Sequence, residues 1–265
     1  MATDGTQLLK NALKQLLFSG DYSDFTIVCG ERTWKVHKAI ICPRSDYFAR
    51  AVTFGKEAED KCIDLVEDDP EVVGLMLEYF YTGDYKVLIR EPNAAGFPHT
   101  CPQFAAYSAN SYSGSVNMTQ RINNRYNTNL VFICPHHTCN QDQTYPVQAY
   151  RCPICADIHP EHLIQHARLY ELADKYQIQG LKPLIEGRFK AACQLYWKSE
   201  QFPIASDIVY ATTPEEDKGL RKIVVDTIAQ HMELLKKPEM EPLMVTYNGL
   251  AFGLLKIKAE AYGWQ

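Results

Sequence analysis

Residues 77–85, LEYFYTGDY, end a segment with an unusual cross-section. The segment opens at Asp69, where a capping carboxylate belongs. Pro70 follows at the first helical position, and Glu71 lies beside the positive end of the helix dipole. Val72, Val73, Leu75, Met76, Leu77, Tyr79, Phe80 and Tyr81 then cover most of the circumference, and Gly83 supplies the stop. A helix that is apolar on nearly every side is surrounded by protein. The rest of the chain has to provide what clads it.

Upstream, Leu9, Leu13, Leu16 and Leu17 recur at helical spacing with Lys10 and Lys14 off that face, and Gly20 ends the run. This predicts an amphipathic first helix whose stripe lies on something. Phe25, Ile27 and Cys29 alternate with Thr26 and Val28, and Gly30 turns the chain towards Trp34 and Val36. That pattern predicts a β-hairpin leading into a short helix from His37. A third short strand falls around Cys62 to Leu65.

Downstream, Ala167, Tyr170, Ala173 and Tyr176 line one helix, and Gly180 breaks it. Leu181, Leu184, Ile185, Phe189, Ala192 and Tyr196 line the next. Thr213 and Glu216, with Pro214 between them, read as a capping box opening a helix through Leu220, Ile223, Val224 and Ile228. Lys236 and Lys237 read as charges offsetting the C-terminal end of the helix before them. Residues 240–265 read as helical with glycine interruptions. Between the two halves, residues 91–129 turn to Asn, Ser, Tyr, Gly and Pro with no sustained period, as expected of a flexible insertion.

A chain of 265 residues with 46% hydrophobic and 11% aromatic content has enough apolar material for a core, which excludes disorder throughout. The net charge of -5 and the lack of a basic patch argue against nucleic-acid binding. No apolar run approaches the roughly 18 residues that span a bilayer, and the N-terminus lacks the pattern of a secretion signal. The expectation is an intracellular protein of cytoplasm or nucleus, its nine cysteines reduced. No Gly-x-Ser-x-Gly elbow, phosphate-cradling glycine loop or His-Glu-x-x-His pair is present, so no enzyme is predicted and no small-molecule substrate. The acids Glu67, Asp68 and Asp69 fit a helix start, and Tyr79, Tyr81, Tyr170 and Tyr176 fit packing rather than a stacking platform.

The motifs GDYSDFTIV, WKVHKAIICPRSDYF, KCIDLVEDDPEVVGLMLEYFYTGDY and HARLYELADKYQIQGLK together resemble the BTB/POZ domain, in the form common among fungal proteins. The resemblance covers residues 8–89 and 162–197. It implies an α/β (α+β) fold with a small mixed sheet clad by helices: a domain over 8–197 interrupted at 90–161, then a helical extension over 198–265. It also implies a non-enzymatic protein-interaction module that forms homodimers or higher oligomers, and that serves as a substrate adaptor on a cullin scaffold for ubiquitin ligation. The alternative is a BTB-type regulator of transcription or chromatin. By motif, Asp24 and Lys38 correspond to a charged pocket near the dimer interface, with His37 beside them. Cullin-binding members carry a hydrophobic residue, any residue, then Glu before the third strand. Here Phe54, Gly55, Lys56 and Glu57 depart from that spacing by one residue, or place Gly55 where the hydrophobic residue belongs.

Within the insertion, CPHHTC and CPIC put Cys134, Cys139, Cys152 and Cys155 in two close pairs separated by twelve residues. Four thiolates in two short loops suit a tetrahedral structural Zn2+, with His136, His137 or His159 as alternates for one ligand. A small polar segment such as residues 131–160 needs a metal to fold, since burial alone is insufficient. The other reading is free thiols in a flexible loop.

Overall fold

The all-round apolar helix lies at the centre of the fold as α5 (Pro70–Thr82), with Val72, Val73, Met76, Leu77, Tyr79, Phe80 and Tyr81 all buried. The structure, a computed structural model, describes residues 5–87 and 159–263. The chain divides into two units, Met1–Leu88 with Pro160–Gln265, and Ile89–His159; every described element belongs to the first. The predicted insertion up to residue 158, including Cys134, Cys139, Cys152, Cys155, His136 and His137, lies outside the described residues.

The chain enters through α1 (Gly5–Ser19), which packs along α5. The hairpin follows as β1 (Phe25–Cys29) and β2 (Arg32–Val36), in register from Phe25 opposite Val36 to Cys29 opposite Arg32. Phe25, Ile27 and Cys29 face the core, as their alternation requires. After β2 come α2 (Lys38–Ile41), a 3-10 turn over Cys42–Arg44, α3 (Asp46–Ala51) and α4 (Lys56–Asp60). β3 (Cys62–Asp64) then adds parallel to β1, giving the mixed order β2-β1-β3. The start and stop of α5 are as read: the Asp69 carboxylate accepts the Glu71 amide at 2.8 Å, and Gly83 takes the left-handed conformation at φ 71°.

On the far side of the insertion, α6 (Glu161–Lys175) lies against α5, and α7 (Leu181–Tyr196) against α6. The contacts joining the two halves are specific. Phe48 on α3 stacks on Tyr176 at 5.3 Å between ring centroids and meets Phe80 of α5 edge-on at 5.9 Å. Ser45 accepts the Phe48 amide and donates to the Tyr176 carbonyl at 2.6 Å. The Tyr79 hydroxyl donates to the Gln179 carbonyl at 2.9 Å, and the Tyr176 hydroxyl donates to the Asp68 carboxylate, which also binds Lys175 at 2.8 Å. The acids before α5 therefore serve the packing of α6, and all four tyrosines singled out in the sequence are buried.

The remainder is helical: α8 (Gln201–Thr212), α9 (Gly219–Gln230), a 3-10 turn over Met232–Lys236, α10 (Met240–Thr246) and α11 (Asn248–Tyr262). The capping box expected at Thr213 is not formed. Thr213 instead closes α8, its hydroxyl donating to the Val209 carbonyl at 2.5 Å and accepting from Arg221 Nε at 2.8 Å, and α9 begins only at Gly219. The reason is Asp217, which accepts the Tyr170 hydroxyl at 2.8 Å, the Gly219 amide at 3.0 Å and Lys182 Nζ at 2.6 Å. These bonds hold residues 214–218 as a turn and displace the helix start by one turn. Lys237 also departs from its expected role: its ammonium binds the carbonyls of Lys198 and Ser199, just beyond α7.

Candidate functional site

The residues that the resemblance singles out gather at the end of α1 and the start of the sheet. Gly20 leaves α1 at φ 70°, where a Cβ would sit 2.9 Å from that of Lys35, so only glycine fits. Tyr22 follows with φ 61°, a conformation uncommon for a side chain of its size, and is 91% exposed. Asp24 accepts the Lys38 backbone amide at 2.8 Å, tying the entry of β1 to the start of α2. The Lys38 ammonium lies over the Phe25 ring, 5.4 Å from its centroid, so Asp24 and Lys38 are neighbours without a direct side-chain pair.

His37 is the strut behind this turn. Its Nε2 lies 2.6 Å from the Asp21 carbonyl and its Nδ1 2.7 Å from the Tyr81 hydroxyl, which also accepts the His37 amide at 3.0 Å. A carbonyl only accepts, so Nε2 carries the proton and Nδ1 accepts from Tyr81. Burial pushes the Tyr81 phenol up to about 12, which keeps it a donor at neutral pH. Replacing Tyr81 with Phe leaves the ring nitrogen and the amide of His37 without that partner in a buried site. The expected cost is about 1–3 kcal/mol in urea unfolding, against near zero if the hydroxyl were exchangeable with water.

The face presented by α1 is apolar. Leu13, Leu16 and Leu17 are half-buried along α5, whereas Leu8, Leu9 and Phe18 stand in solvent, Phe18 at 89% exposure. The first-helix stripe is thus only partly covered by its own chain. Sequence reasoning missed Phe18 and Tyr22. The signal was an aromatic set off the Leu9–Leu13–Leu16–Leu17 stripe, followed by another in a turn whose chemistry favours Gly, Asn or Asp.

A second exposed feature precedes β3. Phe54 is 72% exposed, Gly55 caps α4 at φ 84°, and Glu57 lies exposed in its first turn. At the margins of the insertion, the Tyr85 hydroxyl is hydrogen-bonded with His166 Nδ1 at 3.0 Å, and Arg188 binds both the Tyr85 carbonyl and the Asp84 carboxylate. His159 falls just before α6. Among the described residues no group of three or more His, Cys, Asp or Glu is placed to hold a metal, and no helix is long and apolar enough to cross a membrane.

A three-stranded mixed sheet, a clad central helix and exposed apolar and aromatic residues on α1 are the parts of a protein-interaction module. The chain carries a BTB/POZ domain: residues 13–99 match that family. It is similar to Kelch-like protein 41b of Danio rerio, with 32% identity over 81 residues, and to Kelch-like protein 40 of Xenopus laevis, with 30% identity over 81 residues. The matches cover 29% and 30% of this chain and 13% of either relative's length.

Proposed function

We propose that this chain is a non-enzymatic scaffold that pairs with a second copy of itself through α1 and the following turn, and presents a cullin-type ubiquitin ligase with its substrate. The observation that carries the pairing is the incomplete burial of α1 and its following turn: Leu8, Leu9 and Phe18 on the helix and Tyr22 in the turn are all more than half exposed, although Leu13, Leu16 and Leu17 are already seated on α5. Exposed large apolar side chains of this kind mark association surfaces, and a closed pair sharing one self-complementary patch is the commonest arrangement. The adaptor role rests on the resemblance together with the exposed Phe54 and Glu57 before β3. Gly55 in the left-handed region aims that segment outward but contributes no side chain of its own.

Light scattering on the purified full chain tests the pairing. The Phe18→Asp, Tyr22→Asp variant is expected to halve the mass of the assembly with its thermal unfolding unchanged, because both residues are solvent-facing. An unchanged mass would reject the reading. For the adaptor role, Phe54→Ala is expected to weaken binding to a cullin N-terminal domain by about tenfold or more, the size of a truncated aromatic anchor. Equal binding by both proteins, or none by either, would remove the cullin from the proposal.

A further inference from the structure

Asparagine stands directly before glycine once in this chain, at Asn248–Gly249, and the pair opens α11. Both residues are exposed, and the Asn248 side-chain amide has no hydrogen-bond partner among the described residues. The first amides engaged in α11 are those of Leu250 and Ala251, which both donate to the Tyr247 carbonyl, at 2.9 Å and 3.4 Å. The Gly249 N–H, one of the orphan donors of a helix start, makes no bond among the described residues. Beyond its own helix, a Cβ built at Gly249 would meet only Arg221 Nη1, at 3.9 Å, so the space beside this amide is open.

These are the requirements of one reaction. A backbone nitrogen that is neither tied to a carbonyl nor shielded by a Cβ can reach the side-chain carbonyl carbon of the asparagine before it, once that residue's ψ swings out of the helical range. Inside a helix ψ is pinned by hydrogen bonds on both sides. At the first position only the two bonds on Tyr247 hold it, and one of them is long. Asn11 shows the contrast: it lies within α1, its Oδ1 accepts from Gln7 Nε2 at 2.9 Å, and Ala12 follows it.

We infer that Asn248 is a site of spontaneous modification, deamidating through a succinimide, and that the isoaspartate product frees the start of α11 from α9. The Gly249 nitrogen bonds to Asn248 Cγ and gives its proton to solvent, and the side-chain nitrogen leaves as ammonia. Water then opens the ring at either carbonyl. Attack at Cγ restores the backbone and leaves an aspartate side chain. Attack at the main-chain carbonyl carbon leaves the chain running through Cγ, one methylene longer, with the new carboxylate as a branch.

The two products differ in consequence. An aspartate puts a negative charge in a first turn that has no acid, at the positive end of the helix dipole, where it is favourable. Isoaspartate lengthens the chain between two fixed points. Tyr247 is held by its hydroxyl on Asp207 at 2.9 Å, and Leu250 is 0% exposed in the packing of α11 on α9. An added methylene between them takes the Tyr247 carbonyl out of register with the Leu250 and Ala251 amides. Lys258 Nζ, on the Ala229 carbonyl at 2.8 Å, still holds the far end, so the loosening is local.

The full chain is aged for weeks at body temperature in mildly alkaline buffer, then mapped by mass spectrometry and labelled with an isoaspartyl methyltransferase. Modification at residue 248 is expected to exceed that at Asn11 severalfold, to fall severalfold in Gly249→Ala, and to vanish in Asn248→Gln. The labelled fraction is expected to be cut faster by protease within residues 240–262. Asn248→Asp, which carries the charge without the extra methylene, is expected to be cut at the wild-type rate. An aged folded chain intact at residue 248 overturns the inference, and a sample aged in urea then shows whether the helix start protects the site. An isoaspartate fraction digested no faster than fresh protein overturns the release of α11.

Discussion

Phe48→Ala is expected to lower the unfolding free energy by about 3–5 kcal/mol, the range for deleting a fully buried aromatic ring and leaving a cavity behind. Phe48 is 0% exposed and sits where three elements meet, stacked on Tyr176 and edge-on to Phe80. Since Phe80 precedes the insertion and Tyr176 follows it, the ring is part of what joins the two halves into one body. Domains are stable by only about 5–15 kcal/mol, so this single change removes a large share of the total. Urea denaturation measures it, and Phe54→Ala is the internal control. That ring is 72% exposed, and its loss is expected to change stability by no more than about 0.5 kcal/mol. A cost below about 1 kcal/mol for Phe48→Ala would mean that α5 and α6 do not share a core.

The parts of the fold legible in the sequence are those set by local rules. The Asp69 cap, the Gly83 stop and the alternation of Phe25, Ile27 and Cys29 all needed only neighbours in the chain, and each stands where expected. Thr213 shows where such rules fail. Its capping-box spacing is intact in sequence, but Asp217 is claimed by Tyr170 and Lys182, on helices more than thirty residues earlier, and those bonds decide where α9 begins. The candidate site divides the same way. Asp24, His37 and Lys38 were found through a motif, whereas Tyr81, which fixes the His37 tautomer, read only as a core aromatic, because its hydroxyl partner lies 44 positions away. The apolar stripe of α1 was legible as helical pattern, and α11 only as a helix with glycine interruptions. Which part of each helix is left uncovered was not, since that depends on how much of it α5 and α9 can reach.

Acid is expected to weaken this fold through His166, and the effect follows from where the ring is held. His166 is 4% exposed on α6, with Nδ1 hydrogen-bonded to the Tyr85 hydroxyl at 3.0 Å and the His162 ring 5.8 Å away. Burial pushes its pKa down to about 3, with the His162 and Arg188 charges acting in the same direction. The Tyr85 phenol is pushed well above its usual range by the same burial and stays protonated. Because the folded-state pKa lies below the ordinary 6.5, the unfolded chain binds more protons between pH 6.5 and about 3, so this contribution is intact above pH 6.5 and is lost as the pH falls. The slope approaches about 1.4 kcal/mol per pH unit, or about 2 kcal/mol between pH 7 and pH 5. Carboxylates elsewhere add their own acid dependence, so the measurement is a difference. Urea midpoints of wild type and His166→Gln, whose amide oxygen can accept from Tyr85 without titrating, are expected to converge as the pH drops from 7 to 5. Two curves that stay parallel across that interval would mean that His166 is protonated at little cost, and that the junction of Tyr85 with α6 is open to water.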